Sequence, residues 1–145
     1  MIRPRPQRLT PPAPLGSLLK RATVPTTTAR SSDHGDADYL ALVRQCPCLS
    51  CGMEPSESAH VRFASAAFGK ASGLSRKPPD SFAVPLCADC HRLGKHAQHN
   101  RREQEFWDSL GINPLLAATR LYAKRDDLVA MRAVCFVVIS ERSLR

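Results

Sequence analysis

The sequence predicts a small α+β domain built on a strand–loop–strand–helix core. Three observations predict it. Two Cys-x-x-Cys pairs, Cys48/Cys51 and Cys87/Cys90, bracket a gap of 35 residues. Two short strand-like stretches lie inside that gap. Helical patterns with recognisable starts and stops follow the second pair. At 145 residues the chain has room for one modest domain plus tails. A core that small gains from a metal staple.

Residues 1–36 read as a disordered basic arm. They carry Pro4, Pro6, Pro11, Pro12, Pro14 and Pro25 and a Thr26–Thr28 run. Proline removes backbone donors and favours extended chain, and little here builds a core. Arg3, Arg5, Arg8, Lys20 and Arg21 can reach phosphates, although a solvated linker is the favoured role. The domain proper is expected over 37–124, with a C-terminal tail over 125–145.

Asp38 to Gln45 suits a short helix, with Tyr39, Leu42 and Val43 at helical spacing. Cys46-Pro47-Cys48-Leu49-Ser50-Cys51-Gly52 then has the form of a zinc knuckle, a tight turn that points two thiolates at one ion. Glu57 to Phe63 reads as a strand, and 64–80 as a Gly-, Ser- and Lys-rich loop. Phe82, Val84 and Leu86 alternate toward one face of a second strand. The second knuckle runs straight into His91. The stretch from His91 to His99 should begin helical, but Gly94 weakens it. Asn100, with Glu103 three residues on, is the expected cap of the next helix, and Gly111 its stop. Asn113-Pro114 starts another, with Leu115, Ala118 and Tyr122 on one face. Asp126 to Ser140 fits either a last helix or, at its Val-rich end, a strand.

Two Cys-x-x-Cys pairs in one small domain are the ligand set of a structural, tetrahedral Zn2+: Cys48, Cys51, Cys87 and Cys90. Cys46 is a spare whose spacing to Cys51 is worse than that of Cys48. Cys135 sits among apolar residues and reads as a buried thiol. Cys87-Ala88-Asp89-Cys90-His91 also fits the c-type haem attachment pattern. That reading needs an exported chain and leaves Cys48 and Cys51 unexplained. The start of the sequence lacks an apolar export segment, so a reducing, cytoplasmic setting is expected. The longest apolar run, Ala133 to Ile139, is far short of the roughly 18 residues a membrane span needs, so no membrane partner is expected.

The formal net charge of +8 and pI near 9.6 suit a polyanionic partner, with nucleic acid the default. Arg62, Lys70, Arg76, Lys77, Arg92, Lys95, Arg101 and Arg102 flank the cysteine pairs and are the candidate phosphate contacts. Trp107 could stack on a base, but beside Phe106 on a helix it reads as core. Four histidines, His60, His91, His96 and His99, cluster around the same unit. A neutral imidazole is a suitable base near neutral pH.

Taken in order, Cys48-Leu49-Ser50-Cys51-Gly52, Ala59-His60-Val61-Arg62-Phe63, Val84-Pro85-Leu86-Cys87-Ala88-Asp89-Cys90-His91, Gln98-His99, Phe106-Trp107 and Leu110-Gly111-Ile112-Asn113-Pro114-Leu115 resemble the HNH endonucleases. More narrowly, they resemble the zinc-containing phage and prophage group related to the recombination-enhancing Ref nuclease. The resemblance spans about residues 44–124. It implies a ββα-metal (His-Me finger) core, DNA as partner, phosphodiester hydrolysis, and a catalytic divalent ion, Mg2+, Mn2+ or a second Zn2+. It also implies a link to a phage or host recombination protein. His60 is then the general base, and His91 and His99 hold the catalytic ion. The family often has Asp or His where this chain has Ala59, so His60 is open to either role, base or metal ligand. It often has Asn before the second strand, where this chain has Asp80, Ser81 and Phe82. Asp80 is open to a role as oxygen ligand or as plain turn residue. The runner-up is a non-catalytic zinc module that binds DNA or RNA.

One geometric demand follows. In an unbroken helix His91 and His99 would lie about 12 Å apart along the axis, too far for one ion. Either the chain breaks near Gly94 and returns His99 to His91, or His96 and His99 pair across one turn. The first is preferred.

Overall fold

A computed structural model describes residues 35–71 and 77–143. The basic arm up to residue 34 and Arg76 lie outside the described residues. The fold is α+β: a two-stranded antiparallel sheet surrounded by helices.

The first helix, α1 (Ala37–Val43), starts where Asp36 accepts a hydrogen bond from the Tyr39 N–H at 2.9 Å. That satisfies one of the donors a helix start leaves open. The helix buries Tyr39, Leu40 and Val43, and the Tyr39 hydroxyl donates to the Ala83 carbonyl at 2.9 Å. It ends before the expected Gln45, whose carbonyl is instead bound by Arg132.

Strand β1 (Glu57–His60) pairs with β2 (Ala83–Leu86) in the register Glu57↔Leu86, Ser58↔Pro85, Ala59↔Val84, His60↔Ala83. The expected strand to Phe63 is shorter than predicted, and side chains account for it. Beyond Val61, whose N–H still reaches the Phe82 carbonyl, the Arg62 N–H goes to the Glu103 carboxylate. The carbonyls of Arg62 and Phe63 go to the Lys70 ammonium at 3.1 and 2.8 Å. A side-chain clamp thus replaces the ladder. The expected one-face alternation of the second strand also fails, because all four residues of β2 are buried. Helix α1 packs on it, and the first cysteine turn crosses it through Leu49 N–H to the Pro85 carbonyl, 3.0 Å. Strands covered on both faces lose the alternating pattern.

Helix α2 (Glu103–Leu110) buries Phe106 and Trp107, and Trp107 is core, as its setting predicts. Gly111 closes it at φ 64°, a left-handed conformation that glycine adopts without strain. Its start differs from expectation. Arg102, not Asn100, is the cap residue, and the Asn100 amide donates to the carbonyls of Arg92 and Gly94. Helix α3 (Pro114–Tyr122) begins as predicted, with the Asn113 side chain accepting from Leu115 and Leu116 N–H at 3.1 Å each. The stretch left open between helix and strand is a helix, α4 (Leu128–Ser143). Met131, Cys135 and Val138 are buried at helical spacing, which outweighs the β preference of its valines. Helix α4 packs on α3, and Arg132 and Arg142 donate to carbonyls of Gln45, just before the first cysteine turn, and Ser50, within it.

Candidate metal and histidine site

The two cysteine turns meet. The donor atoms of Cys48, Cys51, Cys87 and Cys90 all lie within 4.8 Å of one another. Among the described residues they form the one group of three or more His, Cys, Asp or Glu side chains gathered so closely. Local backbone bonds shape each turn: Gly52 N–H to the Cys48 carbonyl at 2.7 Å, and His91 N–H to the Cys87 carbonyl at 2.8 Å. The Leu49–Pro85 bond docks the first turn against the strand that leads into the second. Four thiols fit the donor set of a structural metal such as zinc. Burial pushes Cys51 up to about 11 and raises Cys90 further, with neighbouring thiols adding to both. A cation bound there would ionise such thiols, as metal binding to cysteine requires.

The spare cysteines separate from this cluster, as expected. Cys46 is buried, donates to the Leu42 carbonyl at 3.5 Å and interacts with the Cys135 thiol. Cys135 is fully buried on α4.

His60 stands at the end of β1. Its Nε2 is 2.7 Å from Oδ1 of Asp80, which is 2% exposed. Asp80 opens a 3-10 turn (Asp80–Phe82) that feeds β2. It also accepts from Lys77 Nζ at 2.9 Å and from the Asp36 N–H at 2.9 Å. Burial would raise its carboxyl, but the bonds from His60, Lys77 and Asp36 outweigh that and hold it below the usual aspartate range. Asp80 is therefore a partner of His60. With Nε2–H donated to a carboxylate, the neutral ring keeps its lone pair on Nδ1; the tautomer is assigned from the partner.

His91 and His99 come together. The wide helical turn Asp89–Leu93 ends at Gly94, whose N–H bonds the Asp89 carbonyl at 2.8 Å. A Cβ on Gly94 would lie 2.6 Å from that oxygen, so the break requires glycine. The chain then turns back through a 3-10 turn, Gln98–Asn100. The rings of His91 and His99 meet edge to face with centroids 4.5 Å apart. This is the broken route. His96 is exposed.

His91 Nδ1 lies 2.6 Å from Glu57 Oε2, and His99 Nε2 lies 2.6 Å from Arg62. Partial desolvation lowers the His99 pKa, with the Arg62 and His91 charges adding to it, so His99 accepts from the guanidinium as a neutral ring. His60 itself does not join His91 and His99 in a three-donor group.

The basic set divides. Lys70 is 4% exposed with its ammonium on two carbonyls, which removes it from the phosphate-contacting set; burial lowers its pKa. Arg92 is forked onto Glu57, with NH2 to Oε1 at 2.8 Å. Lys77 is on Asp80. Arg62, Arg101 and Arg102 are exposed. Arg76 lies outside the described residues.

Two acids that matter to this site have no signal in the sequence reading. Glu57 is a strand opener there, and Glu103 a capping partner. Each acts across more than thirty positions, on His91 and on the Arg62 backbone, and only tertiary pairing reveals that. Comparison with protein-family models, with curated proteins and with solved structures finds no match to this chain.

Proposed function

We propose that the protein is a metal-dependent DNA endonuclease of the HNH type, with zinc on the four cysteines holding a ββα-metal core. The observation that carries this reading is the His60–Asp80 pair: a partly exposed imidazole whose Nε2 is fixed by a buried carboxylate at 2.7 Å. Such a pair makes a base of the opposite ring nitrogen. In the proposed reaction His60 Nδ1 takes a proton from water as the water oxygen bonds to phosphorus, and the P–O bond to the leaving sugar oxygen breaks. Asp80 stabilises the imidazolium that forms. Arg62 offers a guanidinium to the phosphate oxygens.

The donor set of His91 and His99 fits a catalytic divalent ion in part. His91 offers its Nε2, whereas His99 Nε2 accepts from Arg62 and would have to leave the guanidinium to supply a second position; water and phosphate would fill the rest. Such an ion would stabilise charge on the phosphate and leaving oxygen. A second reading, a non-catalytic zinc module that binds DNA or RNA, is favoured by one observation. No carboxylate or His60 joins the two histidines in a three-donor group among the described residues.

The test is cleavage of supercoiled and single-stranded DNA with Mg2+ or Mn2+, beside His60→Ala and an EDTA control, with zinc content measured in each protein. Metal-dependent cutting that vanishes in a folded, zinc-loaded His60→Ala protein supports the enzyme. DNA binding without cutting under every metal moves the protein to the second reading.

A further inference from the structure

Glu57 is the acid no sequence motif points to, yet its carboxylate joins two side chains from the turn after the second cysteine pair. Oε2 sits 2.6 Å from His91 Nδ1. Arg92 Nε reaches both carboxylate oxygens at 3.1 Å, and its NH2 reaches Oε1 at 2.8 Å. The wide turn Asp89–Leu93 aims these consecutive side chains at the same acid.

A neutral imidazole carries one proton on one nitrogen. A carboxylate beside Nδ1 draws the proton there and leaves the lone pair on Nε2. No hydrogen bond among the described residues engages His91 Nε2. The Arg92 fork has a second consequence: it occupies the Glu57 oxygens, so the acid serves as hydrogen-bond acceptor to His91 and not as a ligand.

We propose that Glu57 is a positioning residue that fixes His91 with its proton on Nδ1 and presents its Nε2 lone pair to a divalent ion. Strand β1 thus opens on Glu57, engaged by His91, and ends on His60, engaged by Asp80. The two carboxylates set opposite tautomers, freeing Nδ1 on His60 and Nε2 on His91. The purpose given to Glu57 rests on the nuclease reading, but its measurement does not.

The experiment uses the full, zinc-loaded, 15N-labelled chain at pH 8, where imidazole is ordinarily neutral. Long-range 1H–15N spectra report which ring nitrogen of His91 carries the proton. The His91→Gln protein assigns the signal. The expected result is Nδ1–H in the wild type and a shift toward Nε2–H, the form free imidazole favours, in Glu57→Ala. Calorimetric titration with Mn2+ should show affinity about 10–100-fold weaker in Glu57→Ala, the usual effect of removing a carboxylate behind a ligating histidine. Glu57→Gln, which keeps the size and removes the charge, replaces it if the alanine protein does not fold. A wild-type His91 protonated on Nε2, or Mn2+ affinity equal to wild type in the folded variant, overturns the proposal. Wild-type protein that cuts no DNA but meets both expectations removes the nuclease reading and leaves the role of Glu57 standing.

Discussion

Asp80→Asn is the sharpest perturbation of the site, because it changes charge with almost no change of shape. Oδ1 of Asp80 takes His60 and Lys77, and Oδ2 takes the Asp36 N–H. An asparagine amide has one accepting oxygen and one donating nitrogen. If the oxygen stays on His60, the NH2 group faces the Asp36 N–H, and that donor loses its partner. If the amide flips, NH2 faces His60, which must move its proton to Nδ1 and ceases to be a base. Losing a charge-assisted bond and stranding a donor costs about 2–4 kcal/mol. The contact to Lys77, 61% exposed, adds little. The Asp80 pKa is lowered in the native state. Its stabilisation is therefore complete above the ordinary aspartate value, about 3.9, and is lost as the pH falls through the lowered native one. The comparison belongs at about pH 8, where carboxylates are ionised and imidazole is ordinarily neutral. Urea unfolding of the zinc-loaded proteins measures the difference. Cleavage should fall by about 10²–10⁴-fold, the worth of a positioned general base. An Asp80→Asn protein that cuts at the wild-type rate would refute the orienting role.

Chelation, or Cys87→Ser, should unfold the domain. Structural zinc contributes about 10–16 kcal/mol, as much as a small domain's whole stability; atomic absorption with far-ultraviolet dichroism checks it, and a folded metal-free protein would count against the staple. Lys70→Met should cost about 1–3 kcal/mol by stranding two carbonyls, yet leave the salt dependence of DNA binding unchanged. A shallower salt slope would return Lys70 to the phosphate-contacting set. Gly94→Ala should cost about 1–3 kcal/mol, because a methyl placed 2.6 Å from the Asp89 carbonyl must open the turn. Ring signals of His91 and His99 should both move in its NMR spectrum; unmoved rings would mean the turn accommodates the methyl.

Features that depend on near neighbours were legible in the sequence. The Asn113 cap, the Gly111 stop and the knuckle cysteines each announce themselves within a few residues. The four-cysteine cluster was legible because both pairs share one spacing. Tertiary substitutions were not legible. Strand β1 stops at His60 because Glu103 and Lys70 take over the backbone of Arg62 and Phe63. Asn100 has the chemistry of a helix cap, but it serves the Gly94 break. Asp80 reads in the sequence as a ligand or a turn residue, and its hold on His60 depends on a turn twenty positions away folding beneath the strand.

Formal charge is a weaker guide to the partner than +8 implies. Residues 1–34 hold six basic side chains and one acid, which accounts for +5 of the total. Many described cations are already committed: Arg92 to Glu57, Lys77 to Asp80, Arg120 to Glu141, Arg132 to Glu54, and Lys70 to backbone. Under the proposed nuclease reading, the support for a phosphodiester substrate is therefore placement. Cys90 and His91 are adjacent, so a metal on the cysteines fixes where the wide turn starts. That turn carries His91 to Glu57, and Gly94 returns His99 to His91. Arg62 stands on His99 and two residues from His60. On the nuclease reading, loss of the metal should abolish cleavage and fold together.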